Sequence, residues 1–264
     1  MLVLIRGAGD LASGIALRLH HAGLRLVLLD LEKPTAIRRT VCFSQALIFG
    51  RWQVEDVCAV RAETPEDVEA AWAAGEIPVL ADPDCRCLSW LRPDALVDAI
   101  LAKRNLGTRI SDAPVVIGVG PGFTAGEDCH AVVETMRGHT LGRVILSGSA
   151  IPNTGVPGNI GGFTIERVMH SENAGTFHAL REIGDTVTAL EPVAEIGGVP
   201  LRAKITGTLR GLLPEGFYVP CAGFKSGDVD PRCELSHCYT ASDKALAVGG
   251  GVLEAVLTLT GALK

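Results

Sequence analysis

Apolar residues come in short runs cut by glycine, proline or charge. The first, Leu2 to Arg6, predicts a strand, and Gly7-Ala8-Gly9-Asp10-Leu11-Ala12 follows it at once, opening a helix through Ala16, Leu17 and Leu19 that stops at Gly23. A second apolar run, Leu24 to Leu29, ends at Asp30, so a β-α-β unit closes within about thirty residues. A weak helix at Phe43 to Leu47 and a strand at Val57 to Val60 come next. Thr64-Pro65-Glu66-Asp67 then caps a helix through Ala74, and Ile77 to Ala81 reads as a buried strand. Pro93-Asp94 predicts a further helix to Lys103, and Val115 to Val119 another strand.

From about Gly142 the pattern changes to β-branched runs between glycine and proline turns, so strands with turns replace strands with helices. Ile183-Gly184-Asp185-Thr186-Val187 recurs as a quasi-repeat at Phe224-Lys225-Ser226-Gly227-Asp228-Val229. This stretch resembles the barrel-sandwich hybrid of biotinyl and lipoyl domains, with Gly207-Thr208-Leu209 and Gly216-Phe217-Tyr218-Val219 as its later strands. Where those domains present a lysine on a hairpin, this sequence has Gly197-Gly198-Val199-Pro200, so no swinging arm is expected. Ser242-Asp243 caps a last helix containing Gly249-Gly250-Gly251. The expected architecture is α/β: a Rossmann-like, doubly wound parallel sheet over 1–141, a β-rich module over 142–240, and a helix over 241–264 that returns to the domains.

The first glycine turn carries the most specific chemistry. Gly7 permits a tight turn, Gly9 lets backbone approach a pyrophosphate, and Ala12 supplies the small residue where helix crosses strand. Asp30 then stands where a carboxylate accepts hydrogen bonds from ribose hydroxyls, while Asp10 either repels a phosphate or caps the helix. Nucleotide binding and a bare structural unit both remain open on these residues. Arg38 and Arg39 leave the same edge as Asp30, placed for anionic groups or simply solvated. Gly118, Gly120 and Gly122 form a second glycine loop, without the lysine of a phosphate-transfer loop. Asp82 and Cys85 follow the strand ending at Ala81 and, with His139 between Arg137 and Arg143, are the candidates for catalysis; a turn and a surface loop are the competing readings.

Composition narrows the partners. With 47% hydrophobic residues and net charge −6, the chain supports a large core and lacks the clustered positive charge that nucleic acid needs. Neither a membrane span nor a secretory leader is legible, so a cytoplasmic protein is expected, and its eight cysteines are expected as free thiols. Cys233, His237 and Cys238 form at most a loose metal cluster, and no metal site is assigned. Asp228, Asp230 and Arg232 suit either a cation or local turns.

Arg6-Gly7-Ala8-Gly9-Asp10-Leu11-Ala12, Pro34-Thr35-Ala36-Ile37-Arg38-Arg39-Thr40-Val41, Arg137-Gly138-His139-Thr140-Leu141-Gly142-Arg143, Gly227-Asp228-Val229-Asp230-Pro231-Arg232 and Gly249-Gly250-Gly251 occur together. In that conjunction the chain resembles the YqeB family, accessory proteins of selenium-dependent molybdenum hydroxylase systems. The resemblance implies maturation of a molybdenum enzyme, with molybdopterin dinucleotide as cofactor and an apo molybdenum hydroxylase or other maturation proteins as partners. Two other readings stay open: an oxidoreductase using NAD(P), with His139 moving a proton, and a non-catalytic, ligand-sensing chaperone or scaffold that self-associates.

Overall fold

Alternate residues of a strand face opposite sides, so a fully apolar strand must be covered on both faces. Strand β1 (Leu2–Arg6) is apolar up to its last residue, Arg6, and buried from Val3 onward, and α1 (Asp10–His21) and β2 (Arg25–Asp30) complete the first unit of the sheet. The computed structural model describes residues 1–262. Next in the chain come α2 (Ala46–Phe49), the hairpin β3 (Arg51–Val54) and β4 (Val57–Arg61), α3 (Pro65–Ala73) and β5 (Ile77–Ala81). Strands β6 (Ala95–Asp98), β7 (Val115–Val119), β8 (Thr124–Ala125), β9 (Ala131–Val133), β10 (Val144–Ile145) and β11 (Gly148–Ser149) follow, with helix α4 (Asp243–Leu259) near the end.

Nine of these strands form one mixed sheet in the order β10-β9-β7-β6-β1-β2-β5-β4-β3. Its interior pairs are parallel, and the outer pairs β9–β10 and β3–β4 are antiparallel. Connections run to one side of β1 through β2 and to the other through β6, so the winding direction switches between β1 and β6. Val68 of α3 joins Leu4, Leu29, Leu80 and Leu96 in one apolar cluster. Ile5 and Val97, next to Leu4 and Leu96, turn to the opposite face. Helix α4 lies along α1 and against β7, β9 and β10. α3 carries a capping box between Thr64 and Asp67, and Ser242 caps α4 by accepting the amide of Ala245.

One predicted element is overturned. Pro93-Asp94 does not start a helix: Asp94 bonds both ways with Leu2, its amide donating to the Leu2 carbonyl (2.9 Å) and its carboxylate accepting the Leu2 amide (2.8 Å). Ala95–Asp98 becomes strand β6 between β1 and β7, with all four residues buried. Three apolar residues and Asp98 inserted into a parallel sheet are buried on both faces, which outweighs the local signal for a helix start.

The chain separates into two compact units: residues 1–34, 42–154 and 241–264 form the first, and 35–41 with 155–240 the second. In the second, β12 (Val168–His170), β14 (Thr186–Val187), β17 (Gly207–Leu212) and β19 (Lys225–Asp230) make an antiparallel sheet in the order β12-β19-β17-β14. Strands β13 (Gly175–Ala179), β15 (Pro192–Ile196), β16 (Val199–Arg202) and β18 (Tyr218–Val219) make another, in the order β16-β15-β13-β18. Phe177, Val193, Leu209, Leu212 and Val229 fill this unit's core. The two quasi-repeat segments flank the same strand, β17, and Gly197-Gly198 forms the β15–β16 turn with both residues at positive φ. Among the described residues no helix is long and apolar enough to cross a membrane.

Candidate ligand-binding site

Ligands of open parallel sheets sit beyond the carboxyl ends of strands where the winding switches. Here that position is the end of β1 and β6, where Arg6 is in register with Asp98. The Arg6 guanidinium is fully engaged: Nε and Nη2 donate to the Pro83 carbonyl (3.1 and 2.9 Å) and Nη2 also to that of Leu106 (3.1 Å). Nη1 donates to Asp98 Oδ2 (3.3 Å) and Thr108 Oγ1 (2.9 Å), and the Thr108 hydroxyl donates to Asp98 (2.6 Å). Arg6 therefore ties the loops after β5 and β6 to the end of β6 and has no donor left for a ligand. Beside it lies a cavity of about 230 Å³ lined by Arg6, Cys85, Leu88, Leu106, Thr108 and Arg109, among others. That volume is below the roughly 300 Å³ at which drug-sized pockets begin, so it suits a fragment of a larger ligand.

The first glycine loop meets Asp30. Gly7 sits at φ +116°, and a Cβ there would come 2.9 Å from the Ala99 carbonyl oxygen, so both turn and contact require glycine. Its amide donates to the Leu29 carbonyl (2.7 Å). The Asp30 carboxylate accepts the amides of Ala8 (2.9 Å) and Leu31 (2.7 Å). Burial pushes its pKa up, and the two amides pull part of the way back. Gly9 is the N-cap of α1 and offers no side-chain bond, Asp10 opens the helix, and Ala12 is buried. Ser13 fixes the loop from below, donating to the Ala8 carbonyl (3.2 Å) and accepting the Phe43 amide (2.8 Å). Thus Gly7, Gly9, Asp10 and Ala12 lie on the turn and first helical turn after β1, and Asp30 is bonded to that turn through the Ala8 amide.

The other candidate residues are placed differently. Cys85 stands in a left-handed turn and lines the cavity, but burial pushes its thiol up to about 11 despite the nearby Arg6 charge. The lowered pKa that a reactive thiolate needs is absent, and Cys85 is a neutral thiol at pH 7. Asp82 accepts the Cys87 amide (2.8 Å) and organises the turn. His139 is exposed on the loop whose Arg137 makes a two-pronged ion pair with Asp243 (2.7 and 2.8 Å). Neither Asp82 nor His139 lines the cavity that holds Cys85.

In the second glycine loop, the glycines make room for the protein itself. A Cβ on Gly118 would meet the Phe123 ring, one on Gly120 (φ +81°) would meet Thr135 Oγ1, and one on Gly122 (φ +110°) the Arg104 backbone. Arg38 and Arg39 belong to the second unit, where Arg38 donates to the His237 and Thr240 carbonyls and Arg39 to that of Leu212 (2.8 Å). Asp228 and Asp230 do not present a cation site. Arg167 and Arg210 bind Asp228, while Arg210 and Arg232 bind Asp230. Cys238 is buried against the Leu209 carbonyl, and Cys233 is exposed.

Sequence reasoning missed the Arg6–Asp98–Thr108 network. Its signal was present: Ala95-Leu96-Val97-Asp98 repeats the apolar run ending in an acid already seen at Asp30, and Arg6 ends an otherwise apolar strand.

No family model matches the chain. It is 53% identical over 258 residues to the uncharacterized protein YqeB of Escherichia coli (strain K12), an alignment covering 98% of this chain and 48% of that protein. The chain thus spans about half the length of the curated relative it matches, and is a homologue of that half. Among solved structures it is similar to an aspartoacylase family protein from Mesorhizobium loti, at 12% identity over 56% of this chain and 60% of that one, with a TM-score of 0.24. It is also similar to the product-bound ectoine utilization protein EutE (DoeB) from Ruegeria pomeroyi, at 13% identity over 77% and 57% and a TM-score of 0.24. Scores that low carry no argument about fold or function.

Proposed function

We propose that the first unit is a Rossmann-like nucleotide-binding module, and that the chain is an accessory protein that binds a molybdopterin dinucleotide for modification or delivery to a molybdenum hydroxylase. The observation that carries the nucleotide reading is the Asp30 carboxylate held 2.9 Å from the Ala8 amide at the carboxyl ends of β1 and β2. With the Ala8 and Leu31 amides holding it in place, the Asp30 carboxylate keeps lone pairs that can accept ribose hydroxyls, and α1, which has no side-chain cap, opens its N-terminus toward a phosphate. The nucleotide half of such a cofactor fits these residues. The metal-bearing half finds at Cys85 a protonated thiol, which must lose its proton to bind a metal.

Binding is favoured over catalysis because Cys85 is neutral, Asp82 is committed to a turn, and His139 stands on an exposed loop. The maturation role comes from the resemblance to the YqeB family and from the homology to part of YqeB. The second unit, read as a barrel-sandwich-like module without an arm, serves in this scheme to dock a partner.

Calorimetric titration with cytidine and guanosine dinucleotides of molybdopterin, with NAD alongside, tests the reading. Micromolar binding of a pterin dinucleotide is expected, weakened about 10- to 100-fold by Asp30→Ala, as loss of a charge-assisted bond predicts. Tighter binding of NAD would transfer the site to a nicotinamide enzyme. Silence with every dinucleotide would end the proposal.

A further inference from the structure

Three basic residues on loops, and a fourth in the first turn of α4, belong to segments that the fold draws together at the carboxyl edge of the sheet. Lys103 and Arg104 follow β6, and the backbone of Arg104 lies against Gly122, in the loop after β7. That loop meets the next one at Gly120 and Thr135, after β9. Arg137 on the same third loop clasps Asp243, the neighbour of Lys244 in the first turn of α4. Leu101 and Lys103 both take left-handed backbone, so this loop is held in a shape its residues do not favour.

Lys244 is half-buried, and neither it, Lys103 nor Arg104 has a hydrogen-bonded or ion-paired side-chain partner among the described residues. The acids nearby are occupied. Glu134, 2% exposed, accepts the amides of Thr135, Met136 and Ile151. Asp243 is taken by Arg137, and Asp10 has interactions of its own. Burial first, then the like charges of Arg137 and Lys103, push the Lys244 pKa down, against the pull of Asp10 and Glu134. Crowded cations with their acids already committed are what an incoming anion relieves.

We propose that Lys244, with Arg137, Lys103 and Arg104 around it, forms a diphosphate subsite, so that the ligand of the first unit is a nucleoside diphosphate or dinucleotide and not a nucleoside or monophosphate. This rests on the nucleotide reading above and names the charged part of its ligand. Each phosphate carries about −1 to −2 charges, which matches three cations without partners better than a single phosphate does.

The test is calorimetry on the full chain with ADP, CDP, GDP, AMP, adenosine and inorganic pyrophosphate, using wild type, Lys244→Met and Lys244→Arg, with thermal melting to confirm folding. A diphosphate is expected to bind at least about tenfold tighter than AMP, Lys244→Met to lose at least about tenfold on the diphosphate, and Lys244→Arg to stay within about threefold. Folded Lys244→Met with wild-type affinity for the diphosphate would overturn the subsite and leave the nucleotide reading standing. Pyrophosphate bound in a Lys244-dependent way, with no nucleotide bound, would support the subsite and overturn the nucleotide reading. Silence of the wild type with all six would overturn both.

Discussion

Arg6 shows how one side chain can hold a site without touching a ligand. Its five N–H donors all meet acceptors inside the first unit, three of those bonds going to main-chain carbonyls of the loops after β5 and β6. Replacing it by Met would leave the Asp98 carboxylate buried without a counter-charge, accepting only from the Thr108 hydroxyl and the Ile100 amide. Arg6→Met is expected to cost about 3–5 kcal/mol in urea unfolding, the usual penalty for stripping one partner from a buried ion pair. A second expectation concerns acid. Burial pushes the Asp230 carboxyl up, but the Arg232 side chain and amide and the Arg210 charge outweigh it and hold the pKa at about 2, below the ordinary 3.8. A carboxyl depressed by folding stabilises above its unfolded pKa and loses that contribution as pH falls from about 4 to about 2, a loss of about 2 kcal/mol. Unfolding curves should show the gap between wild type and Asp230→Asn narrowing over that interval; a constant gap would contradict the ion-pair account. Asp30 beside the glycine loop was legible from spacing alone, because a strand, tight turn and helix fix where the second strand ends. The state of Cys85 was not, since burial depends on residues brought in from β1 and from the 106–112 loop.

At the scale of elements, α4 turns three consecutive glycines to different uses. A Cβ on Gly249 would collide with the Arg18 side chain and the Gly14 carbonyl of α1, whereas one on Gly250 would meet open space. Gly250→Ala is therefore expected to stabilise by about 0.5–1 kcal/mol through helix propensity. Gly249→Ala, one residue earlier, should destabilise by about 1–3 kcal/mol through overpacking. Chemical denaturation of the pair distinguishes close helix contact from a mere tolerance of glycine. The sequence showed that these glycines needed a reason but not which helix supplied it. In the large sheet β1, β2, β4, β5 and β7 were readable, because buried, mainly apolar runs of four to six residues bounded by turns have few alternatives. The segment after Pro93 was misread because its cap-like start is a local signal, while its partners β1 and β7 lie far away in sequence.

For the molecule as a whole, composition announced two kinds of architecture, with helices giving way to turns near Gly142, and the structure holds both a mixed α/β sheet and separate antiparallel sheets. What composition could not reveal is that the units interleave. Residues 35–41 join the second unit, where Ile37 enters the core and its carbonyl accepts the Leu212 amide (2.9 Å), and residues 241–264 return to the first. Such exchanges depend on long-range contacts that leave no periodic trace. The return of α4 to α1 has a consequence for synthesis on the ribosome. Synthesis runs from α1 toward α4, so the apolar flank of α1 leaves the exit tunnel roughly two hundred residues before the helix that covers it. Until then the nascent first unit carries an uncovered greasy stripe, and its maturation in the cell becomes a race between the emergence of α4 and capture by chaperones or by neighbouring nascent chains.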